Sequence, residues 1–185
     1  MLGERFSEVL DAARAGEEQA FALLYRDLNA NLLRYFFAHA PSEAEDLASE
    51  AWLAAARGLR SFEGDERAFR AWLFTIAHRK VVQHWRDAAR HPAQPAPQEV
   101  FDAVLDASET ERQALDASDA AAAARALAAA LSPDQAQVVL LRVLGGLTVE
   151  EVAAAMGKRP GTVRVLQHRA LRRLAGKFSL EGVTR

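Results

Sequence analysis

Between Lys158 and Lys177 the chain carries seven basic side chains, Lys158, Arg159, Arg164, Arg169, Arg172, Arg173 and Lys177, and no carboxylate. Guanidinium groups at this density neutralise phosphates, and an arginine aimed at a base edge pairs with guanine through two hydrogen bonds, worth about 1–3 kcal/mol of discrimination. A second basic segment is interleaved with aromatics: Arg70, Trp72, Arg79, Lys80, His84, Trp85, Arg86 and Arg90. Rings that stack on bases beside cations that hold a backbone are what gripping single-stranded nucleic acid requires, although Phe69 and Trp72 also fit a core stripe. The third group is acidic. Glu43, Asp46 and Glu50 are spaced by three and four, so a helix places them on one face, where like charges need solvent or a basic partner.

Other chemistries are excluded by what is missing from the sequence. None of His39, His78, His84, His91 or His168 has glutamate three residues before it, as a di-iron bundle would need, and no third ligand lies near His78 and His84. The chain has no cysteine, which removes disulfides, thiol catalysis and thiolate zinc sites. No glycine-rich phosphate loop or nucleophile motif occurs. The expectation is a protein without active site, metal or cofactor.

The elements that must carry these groups read as helices throughout. Phe21, Leu24, Tyr25, Leu28, Leu32 and Tyr35 form an amphipathic stripe that Pro41 ends, and Ser42 with Glu45 reads as a capping box for the next helix, which closes near Gly58. The loop "SFEGDERAF" leads into a helix with Phe69, Trp72, Leu73, Ile76 and Val81 at helical spacing. After an alanine-rich stretch over 120–130, Ser132, Pro133 and Gln135 open a helix that stops at Gly145-Gly146. Thr148 and Glu151 cap another, Gly157 ends it, and Pro160 opens the last, with Val163, Leu166, Ala170, Leu171 and Leu174 on its inner side. Two helices separated by a three-residue break form a helix-turn-helix layout, in which the second helix enters the major groove. Its early outward positions are Arg159, Arg164, Val165 and His168.

The charge distribution agrees with two working ends. Residues 1–91 hold 12 basic and 14 acidic side chains, residues 92–119 hold 1 and 7, and residues 120–185 hold 10 and 4, within a total net charge of −2. Pro92, Pro95 and Pro97 mark the acidic middle as an extended linker. The expected fold is all-α: two small helical domains, 1–91 and 120–185, joined by a proline-rich acidic linker over 92–119. No apolar run approaches the roughly 18 residues of a membrane span, and the first residues are acidic where a signal peptide is basic, so a cytoplasmic protein without membrane insertion is expected.

Together these segments resemble the two-domain minimal type of bacterial sigma factor, the extracytoplasmic-function group (group 4). "AEDLASEAWLAAARGL" is similar to the family's polymerase-binding helix, "FRAWLFTIAHRKVVQHWR" to its promoter-melting and minus-ten element, and "LSPDQAQVVLLRVLGGLTVEEVAAAMGKRPGTVRVLQHRALRRL" to its minus-thirty-five reader. The resemblance implies a transcription initiation factor whose partners are core RNA polymerase, through the beta-prime clamp helices and the beta subunit, and promoter DNA, with a separate anti-sigma factor as regulator. It implies that Asp46, Leu47 and Glu50 face the clamp helices. It implies minus-ten contacts from Ser61, Phe62, Glu63, Gly64, Asp65, Phe69, Trp72, Arg79, Lys80, Gln83 and Arg86, with the Ser61–Phe69 loop cradling a base flipped from the non-template strand. Minus-thirty-five contacts fall to Arg159, Pro160, Thr162, Arg164, Val165, His168, Arg169 and Arg172.

The sequence departs from the family's frequent choices at Ser49, Ala56, Arg79 and Gln83, and at Val165-Leu166, where a Ser-Arg pair is usual. A stand-alone helix-turn-helix regulator is the alternative reading, but such proteins usually dimerise and no heptad seam is evident. A helical adaptor without a DNA role would leave the uniformly basic last helix unexplained.

Overall fold

The computed structural model describes residues 2–90 and 110–181, with side-chain surroundings for 2–90 and 119–177, and every regular element among them is helical. The first half contains α1 (Phe6–Ala15), α2 (Glu18–His39), α3 (Ala44–Gly58) and α4 (Glu66–Arg90). The second contains α5 (Thr110–Ala129), α6 (Pro133–Val143), α7 (Val149–Met156) and α8 (Pro160–Glu181).

Helix α1 is short and amphipathic. Phe6, Val9, Leu10 and Ala13 give it one buried stripe, and Gly16 ends it at φ 97°, a left-handed conformation that glycine adopts without a Cβ penalty. Helix α2 is the central post, with α1, α3 and α4 packed around it and α5 lying along it from the second half. Leu24, Leu28, Leu32, Tyr35 and Phe36 line its buried side and meet Phe69, Leu73, Phe74, Ala77 and Val81 of α4 in one core. Burying a leucine or phenylalanine side chain contributes about 1.5–3 kcal/mol, so this stripe holds the four helices together. The same core continues into Val138, Leu140, Leu141, Leu147, Val152 and Val163 of the second half, while Leu131, Ala136, Val139, Ala170 and Leu174 form a smaller cluster.

The helix ends of the second half match the sequence reading. Ser132 accepts the Gln135 amide while the Gln135 side chain accepts the Ser132 amide, and Thr148 and Glu151 make the same reciprocal pair. Gly157 ends α7 at φ 62°, and Gly157, Lys158 and Arg159 are the three residues between α7 and α8. Gly145 is required by closeness rather than dihedral angle, because a Cβ there would lie 2.7 Å from the Leu141 carbonyl oxygen and 2.9 Å from the Phe74 ring.

Three expectations are corrected. Ser42 does not cap α3: Pro41–Glu43 form a 3-10 turn, Glu43 takes the cap position without a side-chain bond, and the Ser42 hydroxyl turns to the Glu43 carboxylate at 2.9 Å. Proline directly before Ser42 starts a tighter turn and moves the helix start by one residue. Leu171 is 53% exposed, because α8 rotates Ala170 and Leu174 inward instead. Helix α5 begins at Thr110, inside the expected linker, since no proline lies between Pro97 and Pro133 and the alanine, glutamine and arginine there favour helix. The rest of that linker, 92–109, lies outside the described residues.

Candidate nucleic-acid interface

Helix α8 is fixed from behind and open in front. Val163 and Ala170 are fully buried against α6 and α7, and this inward pair turns Arg159, Pro160, Thr162, Arg164, Val165, His168, Arg169, Arg172 and Arg173 to solvent. Every position expected to meet the minus-thirty-five element is therefore accessible. The turn is fastened by Lys158, whose Nζ reaches the Asp134 carboxylate at 2.9 Å, and by the Lys158 amide on the Ala153 carbonyl. Arg164 Nη2 sits 2.8 Å from Glu150 Oε1, both largely exposed, an exchangeable pair worth at most about 1 kcal/mol. Among the described residues, Arg159, His168, Arg169, Arg172 and Arg173 make no ion pair with a carboxylate, and the result is an uncovered cationic face that a DNA groove can accept.

The second basic surface is on α4. Arg79, Gln83 and Arg86 are exposed and line a cleft of about 770 Å3 closed on its far side by Met156 and Gly157 at the end of α7. Lys80 is held 2.6 Å from Glu50, and Gln83 donates to both oxygens of Asp87. The loop before α4 divides in two. Ser61, Glu63, Gly64 and Asp65 are exposed, whereas Phe62 is buried and Phe69 has 0% exposure. Phe62, Phe69 and the half-buried Trp72 contact one another with ring centroids 5.1–5.7 Å apart. The expected base contacts from Phe62 and Phe69 are therefore corrected to a floor beneath the loop, because hydrophobic burial claims these rings first. Gly64 has φ 147° and a Cβ would come 2.7 Å from that of Ala68, so the loop's shape requires glycine. Asp65 fixes the far end by accepting the Ala68 amide at 2.7 Å.

On α3, Asp46 and Glu50 are exposed, but Leu47 is 8% exposed and belongs to the core. Its expected outward contact is corrected: the i+1 position after Asp46 turns toward α2 and α4. Glu43 lies 3.8 Å from His84 and Glu50 is paired with Lys80, so the acidic face finds partners on α4.

Between the halves lies a polar contact that the sequence reading did not single out. Gln137, 1% exposed on α6, accepts a hydrogen bond from the Tyr35 hydroxyl and lies 2.9 Å from His78 Nδ1. A glutamine inside the apolar run "AQVVLLRVL" was the available signal. Burial pushes the Tyr35 phenol well above its ordinary value, against the opposing effect of Gln137, and burial also lowers the His78 imidazole. His39, packed on Tyr35 and Trp85, is lowered to about 4, by burial first and then by His78. Arg67 and Glu151 add an exposed ion pair across the same boundary at 2.6 Å. No group of three or more histidine, aspartate or glutamate side chains able to hold a metal occurs among the described residues. No helix among them is long and apolar enough to cross a membrane.

Residues 21–91 match Sigma-70 region 2, and residues 121–174 match Sigma-70 region 4. The chain is 35% identical over 188 residues to the ECF RNA polymerase sigma factor SigD of Mycobacterium tuberculosis, covering 98% of this chain and 88% of SigD. It belongs to the ECF sigma factor family. A second relative, the ECF RNA polymerase sigma factor BldN of Streptomyces coelicolor, is 38% identical over 92% of this chain, which spans 65% of BldN's length. The sigma factor RpoE, solved in complex with the anti-sigma factor NepR from Bartonella quintana, superposes with a TM-score of 0.54 at 23% identity, covering 98% of this chain and 97% of that one, and gives the fold. As an ECF sigma factor, the chain is a transcription initiation factor with a DNA-binding helix-turn-helix.

Proposed function

We propose that the chain joins core RNA polymerase through the acidic surface of α3, contacts the minus-ten region through the Ser61–Asp65 loop and the outer face of α4, and reads the minus-thirty-five element with α8. The unbroken cationic face of α8, set behind a three-residue turn, is the single observation that carries this reading. A major groove takes one helix, and the exposed arginines then divide into base readers early in α8 and phosphate clamps later.

Asp46 and Glu50 are the polymerase contacts in this proposal, with Leu47 fixing their direction from inside the core. Arg79, Gln83 and Arg86 hold the opened strand, while Phe62, Phe69 and Trp72 support the loop that receives a base. The boundaries proposed are 1–91 for polymerase and minus-ten binding and 120–185 for minus-thirty-five binding. In this role the polymerase supplies the chemistry, and the chain supplies two DNA contacts and no active site of its own. A separate anti-sigma factor is the proposed regulator, supported by the RpoE–NepR complex.

Run-off transcription with purified core polymerase tests the reading. Added protein is expected to produce promoter-dependent RNA; a stand-alone regulator would leave core polymerase without promoter selectivity. Genomic fragments selected by the reconstituted holoenzyme would then give the promoter sequences.

A further inference from the structure

The turn at Gly3–Arg5 and helix α1 lie outside residues 21–91, the span matched to region 2, yet they are tied to both ends of the Ser61–Phe69 loop. At one end, Arg14 donates from Nη2 to the Phe62 carbonyl, with its other terminal nitrogen 2.9 Å from Asp11, which orients the guanidinium. At the other end, the Glu66 carboxylate accepts the amide of Leu2 at 2.7 Å and that of Gly3 at 3.0 Å. These are amides at the start of a helical turn that has no side-chain cap of its own, so Glu66 satisfies donors that would otherwise need water. The Phe6 ring completes the tie from below, 5.8 Å from Phe69.

Between the two anchors are Glu63, Gly64 and Asp65, all exposed. A cleft of about 590 Å3 opens there, walled by Gly3, Glu4 and Ser7 on one side and by Gly64, Asp65 and Arg67 on the other. The N-terminal segment is thus one wall of the space beside the loop and also the clamp on its two ends. A three-residue loop without a ladder of its own takes its shape from its anchors, and a shaped site discriminates ligands by the geometry it holds before they arrive.

We infer that Arg14 and Glu66 are positioning residues through which the N-terminal segment sets the shape of the Ser61–Phe69 loop and hence the base it prefers. The inference rests on reading that loop as the receiver of a flipped base. Both act at a distance from the base: Arg14 holds the loop backbone at Phe62, and Glu66 ties the end of the loop to the N-terminal segment.

The test uses the full chain with core polymerase and four promoters that differ only at the flipped base, comparing open-complex formation for the best and worst base. Arg14→Ala is expected to shrink that ratio about tenfold, and Glu66→Gln, which keeps the side-chain shape, about threefold. Arg14→Lys should restore most of the ratio, since an ammonium still reaches one carbonyl. In the free protein, amides of Glu63 to Arg67 should exchange at least tenfold faster in Arg14→Ala, with an unchanged melting temperature. An equal loss at all four bases, or a wild-type ratio despite a loosened loop, would overturn the inference. The double change Ser61→Ala with Glu63→Ala serves as a control on the loop: if it too leaves base preference intact, the loop reading itself fails, separately from the role of Arg14. Should Arg14→Ala fail to fold, Glu66→Gln and the lysine variant carry the same comparison.

Discussion

Arg164 and Arg173 share a helix and a charge but differ in what they can reach. Arg164 lies in the second turn of α8, where a groove-bound helix meets base edges, and Arg173 lies two and a half turns further along. Arg164→Ala is expected to cost about 1–3 kcal/mol at cognate promoters, whereas Arg173→Ala should weaken all sequences alike and flatten the salt slope by about one. Equilibrium titration on cognate and scrambled duplexes at several salt concentrations separates them, and identical behaviour would remove the division into readers and clamps. His39 gives a second residue-scale expectation. Its folded pKa, about 4, is below that of a free imidazole, so the unfolded chain binds more protons between those values. Its stabilising share is complete above about pH 6.5 and is lost as pH falls toward 4, with about 2 kcal/mol gone by pH 5. Thermal melts between pH 7 and pH 5 should show the decline, and His39→Phe, keeping the ring against Tyr35 and Trp85, should flatten it.

Helix starts that look alike in sequence differ in the fold. Thr148 and Ser132 accept amides, and Ser42 does not. Thr148→Ala should therefore cost about 1 kcal/mol in denaturant unfolding, and Ser42→Ala less than about 0.5 kcal/mol. The same contrast marks what the sequence could reveal. The Ser132 and Thr148 capping boxes, the three-residue break and the direction of the α8 arginines depend on neighbours along the chain, so they were legible, whereas the box expected at Ser42 and Glu45 was undone by the turn at Pro41. Leu47, Phe62, Phe69 and Leu171 depend on which side a neighbouring helix occupies, and that is fixed only by packing. Helix α1 was not singled out in the sequence, although Phe6, Val9, Leu10 and Ala13 at helical spacing were the available signal, and the bonds from Arg14 and Glu66 to partners 48 and 64 residues away left none. For α3, replacing Asp46 and Glu50 with lysine should abolish core-polymerase pull-down while far-ultraviolet circular dichroism stays unchanged. Retained binding would remove α3 from the proposed docking surface.

The two halves touch along α2–α5, α4–α7 and the Tyr35–Gln137–His78 contact, so the free protein is a closed arrangement held partly by buried polar groups. Among the described residues, Gln137 Nε2 finds no hydrogen-bond partner, a group whose burial costs about 1–3 kcal/mol relative to hydration. The halves are consequently joined less tightly than an all-apolar contact would join them. A chain free of cysteine accepts a dye pair at Glu8→Cys and Lys177→Cys without further editing. Energy transfer between the dyes should be high in the free protein and fall on addition of core polymerase. A signal that stays high in a transcribing complex would contradict a separation of the two halves on the enzyme.

The packing of α7 between α4 and α8 has a metric consequence. Two helix-packing steps set the proposed DNA-binding surfaces about 20 Å apart. The elements they are proposed to read are centred about 25 base pairs apart, about 85 Å along a duplex at about 3.4 Å per pair. Closed, the protein is a ruler several times too short for a promoter. In the proposed role it would lay only one end on DNA at a time, and the longer scale would come from the polymerase it joins.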